Sequence, residues 1–157
     1  MILGPEESDR DRYWMRRAIE HSRNCPPATG AYSVGAIIVD ASGRVLAEGY
    51  SRETDPQVHA EEAALRKTTD GADRIGLTGA TLYSTLEPCS ARASLRTPCA
   101  QLTVAAGICR VVLAWREPTL FVADCQGVEI LQRAGVKVEE LADLADEART
   151  VNAHLFV

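Results

Sequence analysis

Residues 80–115, ATLYSTLEPCSARASLRTPCAQLTVAAGICRVVLAW, contain a strand, a helix and a second strand in that order. ATLYSTL, residues 80–86, is rich in apolar and β-branched residues and reads as a strand. A helix is expected over about 98–107, and VVLAW, residues 111–115, reads as the next strand. Beyond it VEILQRAG has helical pattern and VKVEE, residues 136–140, is a further strand. The link between these last two strands is about 20 residues long and contains a helix, so they should lie parallel, because a hairpin needs only a few residues.

The same reading extends outward. On the N-terminal side, Met15, Ala18 and Ile19 recur at helical spacing after a candidate capping pair, Ser8 and Asp11, which predicts a helix from about 10 to 23. CPPATG breaks it. VGAIIV, residues 34–39, is a nearly continuous apolar run, the mark of a buried strand, and DASGR turns the chain into a partner strand near 45–50. HAEEAALRKT, from His59, has helix-forming composition up to the TDGAD breaker. On the C-terminal side, Leu141, Leu144, Ala148 and Val151 form a helical packing stripe between about 141 and 153. No internal repeat, linker or low-complexity tract interrupts the pattern. The expectation is a single α/β domain over 1–157, with about five strands in a mixed sheet and helices on both faces.

Composition narrows the function. The chain has 157 residues, 46% of them apolar and 25% charged, enough for one core and typical of a globular protein. Its net charge of −5 weighs against gripping a phosphate backbone, so a nucleic-acid partner is not expected. No run approaches the roughly 20 apolar residues of a membrane helix. Acids stand where a signal peptide is basic, which predicts a cytoplasmic protein. Five cysteines, at 25, 89, 99, 109 and 125, are an odd set that favours thiols or metal ligands over disulfides.

Three residues have metal-ligand chemistry: His59 in V-H-A-E, Cys89 in E-P-C-S and Cys99 in T-P-C-A. One nitrogen and two thiolates suit a zinc ion, one per chain, and three protein ligands leave a fourth position open to water. If His59 and Cys99 sit at helix starts, the helix dipoles favour negative charge there. Glu61, two residues after His59, is placed to move protons between water and a substrate. H-x-E with P-C-x-x-C is the signature of zinc deaminases, and H-A-E with P-C and a more distant second cysteine matches it here apart from the cysteine spacing. A lone H-x-E would be weak, and two P-C pairs alone could be buried thiols or a disulfide. The weight lies in their conjunction, with His59 and Glu61 opening one helix and Cys89 directly following a strand. Cys25, Cys109 and Cys125 lack such support and read as packed or free thiols. His21 and His154 read as ordinary helix or surface residues.

The segments VGAIIVD, HAEEAAL, GATLYSTLEPCS, TPCAQLTVAAGICRVVLAW and GVEILQRAGVKV resemble the deaminase domain of riboflavin-biosynthesis enzymes, within the cytidine-deaminase-like superfamily, from about residue 12 to 139. The resemblance implies a three-layer α-β-α fold and zinc held by His59, Cys89 and Cys99. It also implies a proton shuttle at Glu61, a backbone contact to substrate around Ala60, and homodimers. Departures bear on the substrate. Nine residues, SARASLRTP, separate the two cysteines, where P-C-x-x-C has two and the riboflavin branch about eight. Gly30, Ala31 and Tyr32 replace a family Pro-Asn-Pro run. Ser51 stands where the family has a substrate-side histidine, and Ala91, Arg92 and Ala93 replace a histidine-glycine pattern.

Arg52, Arg92 and Arg96 are candidates to bind a substrate phosphate or carboxylate, weighed against solvated surface arginine. Trp115, Glu117 and Asp124 follow the fourth strand, where ligands often sit in α/β sheets. Trp115 is a candidate to stack on a heterocycle, although a core or dimer contact is favoured. The function expected is hydrolytic deamination of a small amino-substituted pyrimidine or purine, as base, nucleoside or nucleotide, in riboflavin synthesis or repurposed for specialised metabolism. A non-catalytic zinc protein of the same fold is the alternative, and nucleic-acid editing is the least favoured.

Overall fold

The computed structural model describes residues 5–69, 76–92, 96–116 and 125–156. Helix α1 (Pro5–Ser22) leads into the hairpin β1 (Gly35–Val39) and β2 (Val45–Tyr50), followed by α2 (Ala60–Thr69). Strand β3 (Thr81–Leu86), α3 (Cys99–Ala105), β4 (Arg110–Trp115), α4 (Gly127–Arg133) and β5 (Lys137–Glu140) complete the α/β body. The sheet order is β2-β1-β3-β4-β5. β1 is antiparallel to both neighbours, while β3, β4 and β5 run parallel, so the parallel pairing expected for the last two strands holds and extends one strand further.

Alternation along each strand divides the core into two layers. Ala36, Ile38, Leu82, Leu86 and Val111 pack toward Ala60, Ala64, Ala100 and Leu131, on α2, α3 and α4. Ile37, Val39, Tyr83, Val112 and Ala114 face the other way, onto Met15, Ala18 and Ile19 of α1 and the C-terminal Leu141, Leu144 and Ala148. Both faces of β1 are buried, which is why its sequence is continuously apolar.

Two expectations are corrected at the ends of the chain. α1 begins at Pro5, ahead of residue 10, and Ser8 and Asp11 lie inside it as ordinary helical residues. Asp11 is buried at the helix–sheet contact, where its carboxylate accepts the Tyr83 hydroxyl at 2.7 Å and pairs with Arg110 of β4. That partner, 99 residues away in sequence, is what keeps an acid inside the core. Leu141, Leu144 and Ala148 of the C-terminal stripe are buried and Val151 partly so, but the expected helix is a 3₁₀ turn Ala142–Leu144 and a short helix α5 (Ala145–Thr150), followed by a 3₁₀ turn Ala153–Phe156. Among the described residues, no helix is long and apolar enough to cross a membrane.

Candidate active site

Two glycines let helices reach the sheet closely enough to assemble the site. A Cβ on Gly49 of β2 would lie 2.3 Å from the Ala60 carbonyl oxygen and 2.6 Å from the Ala64 nitrogen, so α2 docks there only against bare backbone. A Cβ on Gly127 would lie 1.8 Å from the Pro88 carbonyl oxygen, so the start of α4 rests directly on the segment before Cys89. The Glu87 carboxylate accepts the Val128 N–H at 3.0 Å and ties the same junction from the other side.

His59 is the residue before α2; its carbonyl accepts the Ala63 N–H at 2.9 Å and its own N–H reaches the Glu62 carboxylate at 3.3 Å. Cys89 lies three residues beyond the end of β3, and Cys99 is the first residue of α3. The three side chains converge. His59 Nδ1 is 3.5 Å from each sulfur, and the three donor atoms lie within 4.8 Å of one another. Cys99 donates its backbone N–H to Cys89 Sγ at 3.2 Å, and the Ala100 N–H meets the Cys89 carbonyl at 3.0 Å.

The electrostatics fit a cation. The Cys89 thiol is lowered to about 4, first by hydrogen bonding from Cys99 and then by His59, against the opposing effect of burial. Its neighbour is pushed the other way: Cys99 is raised by the bond it makes to Cys89 and by burial. Two adjacent thiolates in a buried site repel each other, and a dication relieves that repulsion. Burial disfavours the His59 imidazolium, but Cys89 and Glu61 together outweigh it and the net shift is upward. A nitrogen of the half-buried His59 and two buried sulfurs at these separations match the donor set of a zinc site with an open fourth position.

Glu61, on the first turn of α2, is buried and lines the cavity beside His59 and Cys89. Burial raises its carboxyl, opposed by His59 and by the Ser84 hydroxyl, which donates to Oε1 at 2.5 Å. The cavity has a volume of about 560 Å³, room for a small heterocycle with a substituent. Gly30, Ala31, Tyr32 and Val34 form one wall, and Ala91 and Arg92 another. Ser51 lines it as well, its Oγ accepting the Val34 N–H at 2.9 Å. Ala60, wholly buried between His59 and Glu61, presents no side chain to the cavity.

The arginines are engaged by the protein itself. Arg52, in the left-handed region at φ 61°, donates to the carbonyls of Pro26 and Tyr32 and to the Ser33 hydroxyl, stitching the 26–33 loop to the end of β2. Arg92, its side chain only 2% exposed, bonds Glu62 at 3.1 Å and the Gln57 carbonyl. Arg96 pairs with Asp55 at 3.0 Å and reaches Glu62 at 3.5 Å. Sequence cannot show these roles, because an arginine's partner is whatever the fold sets beside it. Trp115 sits one layer behind the cavity: its ring meets Tyr32 edge-on at 5.3 Å, with Phe156 and the Arg149 guanidinium against it. Glu117, Asp124 and Ala93 lie outside the described residues. None of the five cysteines is in a disulfide, and His154 bonds the Ala28 carbonyl at 2.8 Å.

Two residues escaped the sequence reading. Ser84 is the polar exception on an apolar strand face, which is a weak signal. Asn152, almost fully buried, exchanges hydrogen bonds with the backbone of Ser33 at 2.6 and 3.1 Å, a contact 119 residues apart that no local pattern announces.

Comparison with known proteins agrees with this geometry. Residues 8–115 match the cytidine and deoxycytidylate deaminase zinc-binding region. A diaminohydroxyphosphoribosylamino-pyrimidine deaminase of Schizosaccharomyces pombe is 40% identical over 134 residues, covering 85% of this chain and 33% of that protein. Riboflavin biosynthesis protein RibD of Escherichia coli is 38% identical over 131 residues, covering 82% of this chain and 33% of its own length. The chain thus spans about a third of the length of these curated relatives. The structure of Acinetobacter baumannii RibD, form 2, superposes with a TM-score of 0.73 at 35% identity, covering 96% of this chain and 40% of that one. With its mixed five-stranded sheet and with His59 converging on its two P-C cysteines, the chain belongs to the zinc-binding cytidine and deoxycytidylate deaminase family.

Proposed function

We propose that the protein is a zinc-dependent hydrolytic deaminase of a small amino-substituted heterocycle, with the diaminopyrimidine phosphate of the riboflavin pathway as the leading substrate class. The observation that carries this reading is the buried Glu61 carboxyl on the cavity wall beside the His59, Cys89 and Cys99 donors. A purely structural metal site needs neither an open coordination position nor a neighbouring carboxyl.

His59, Cys89 and Cys99 would hold the zinc, which would supply a Lewis acid to make water nucleophilic near neutral pH. The remaining steps belong to the chain. Water adds to the amino-bearing ring carbon while Glu61 takes one of its protons and passes it to the ring nitrogen; Glu61 then takes the second proton from the added hydroxyl and passes it to the amine, and the carbon–nitrogen bond breaks to release ammonia. Burial raises the Glu61 carboxyl above its ordinary value, with His59 and the Ser84 hydroxyl opposing. Ser51 Oγ accepts the Val34 N–H, so its own hydrogen is the part free to meet an acceptor on the substrate. Ala60 contributes backbone, and Tyr32, braced by Trp115, shapes the wall facing the ring. The assembly this family resemblance supports is a homodimer.

The test is ammonia release by zinc-loaded protein across a panel of pyrimidines and purines, as bases, nucleosides and nucleotides, with the riboflavin-pathway diaminopyrimidine phosphate included. Turnover of that compound supports the vitamin pathway, and turnover of another member instead supports a repurposed relative. Glu61→Gln is expected to keep zinc and fold while lowering turnover by about 10²- to 10⁴-fold. Wild-type turnover in that variant would remove Glu61 from the mechanism.

A further inference from the structure

We propose that Ser84 is a positioning residue for the Glu61 carboxyl, an inference that rests on Glu61 being the proton shuttle. Leu82, Ser84 and Leu86 alternate on the face of β3 that packs toward α2, and Ser84 is the polar member of that set. It is fully buried and pairs across the ladder with Ala36 of β1, whose small side chain leaves the hydroxyl beside the helix. A hydroxyl in such a layer carries a desolvation cost, so it stays only with partners.

Its partners are Glu61 Oε1 at 2.5 Å and the Leu86 carbonyl at 2.8 Å. Oε1 is therefore held from behind by the sheet, and proton exchange with water and substrate falls to Oε2. Glu61 is only 4% exposed, so bulk water cannot supply this orientation. A hydroxyl has one hydrogen and can also accept one. The hydrogen bond to Oε1 and the contact with the Leu86 carbonyl fix the hydroxyl between helix and strand, and the carboxyl is held in register with them. Catalytic groups misplaced by a fraction of an ångström lose much of their effect, and a second hydrogen-bonded residue is the usual remedy.

The decisive comparison is Ser84→Thr against Ser84→Val, which share a shape and differ only in the hydroxyl, so any packing cost is common to both. Ser84→Ala removes the hydroxyl without adding volume. Zinc per chain and the Glu61 side-chain position in crystals of each variant are read alongside kcat and KM for the panel member that the parent turns over. The threonine variant is expected to keep kcat near wild type. Valine and alanine are expected to hold zinc and KM but lose about 10- to 100-fold in kcat, with the Glu61 carboxyl rotated or spread over several positions. Equal kcat in the valine and threonine variants, or a Glu61 carboxyl unmoved in valine and alanine, would overturn the proposal. Failure of the underlying reading looks different: Glu61→Gln would then turn over normally, whatever stands at 84.

Discussion

His59, Cys89 and Cys99 come from three separate segments and still bring their donor atoms within 4.8 Å of one another. Each was legible in sequence because each is fixed to a feature visible there: a helix start, a strand end, a proline before a cysteine. Cys99 is fully buried and also donates its N–H to Cys89, so its side chain and its backbone serve the same centre. Cys99→Ala is expected to reduce bound zinc from about one per chain to a small fraction, measured by metal analysis, and to abolish ammonia release with it. Chelation of the parent protein should do the same, reversibly on adding zinc. The arginines show the limit of reading single residues. Arg52 and Arg92 line the cavity and Arg96 does not, and the guanidinium groups of all three are taken up by Pro26, Glu62 and Asp55, whose proximity only folding creates.

At the scale of elements, the strands and the helices between them are predictable to within a few residues, unlike the start of α1 and the C-terminal segment, since apolar periodicity and β-branched runs are local properties. What periodicity does not report is how closely two elements approach. The contact of α2 with β2 depends on Gly49, where the Ala60 carbonyl occupies the space a side chain would need. Gly49→Ala is therefore expected to push the start of α2 off the sheet, moving His59 and Glu61 together. The cost should be about 1–3 kcal/mol, seen as a lower melting temperature, with weakened zinc binding as the functional sign. An alanine variant that melts and binds zinc like the parent would show that α2 can shift without disturbing the site. α1 makes a related point: its length was underestimated because Asp11 looked like a cap, whereas its carboxylate is matched to Arg110 and Tyr83 across the core.

For the molecule as a whole, the last turn of the chain helps build the first wall of the cavity. Asn152 locks the Ser33 backbone, His154 bonds Ala28, and Phe156 stacks near Tyr32 at 6.5 Å, so the 28–34 loop is held from the C-terminal side while Arg52 holds it from β2. Asn152→Ala leaves two buried backbone groups without these partners, a cost of about 1–3 kcal/mol. Because the loop touches substrate space and not the zinc trio, KM is expected to rise more than kcat falls, with zinc content unchanged; a selective loss of zinc would contradict this. The amino-acid sequence by itself determined the strand and helix order, the two-sided core and the zinc-deaminase donor set, because hydrophobic period and motif spacing act over a few residues. Only the tertiary structure decided that Ser84 stands behind Glu61, that the arginines brace loops, and that Asn152 closes the cavity wall. Those are contacts between residues far apart in the chain, and hydrogen bonds of this kind form only once packing has removed water and set both partners within about 3 Å.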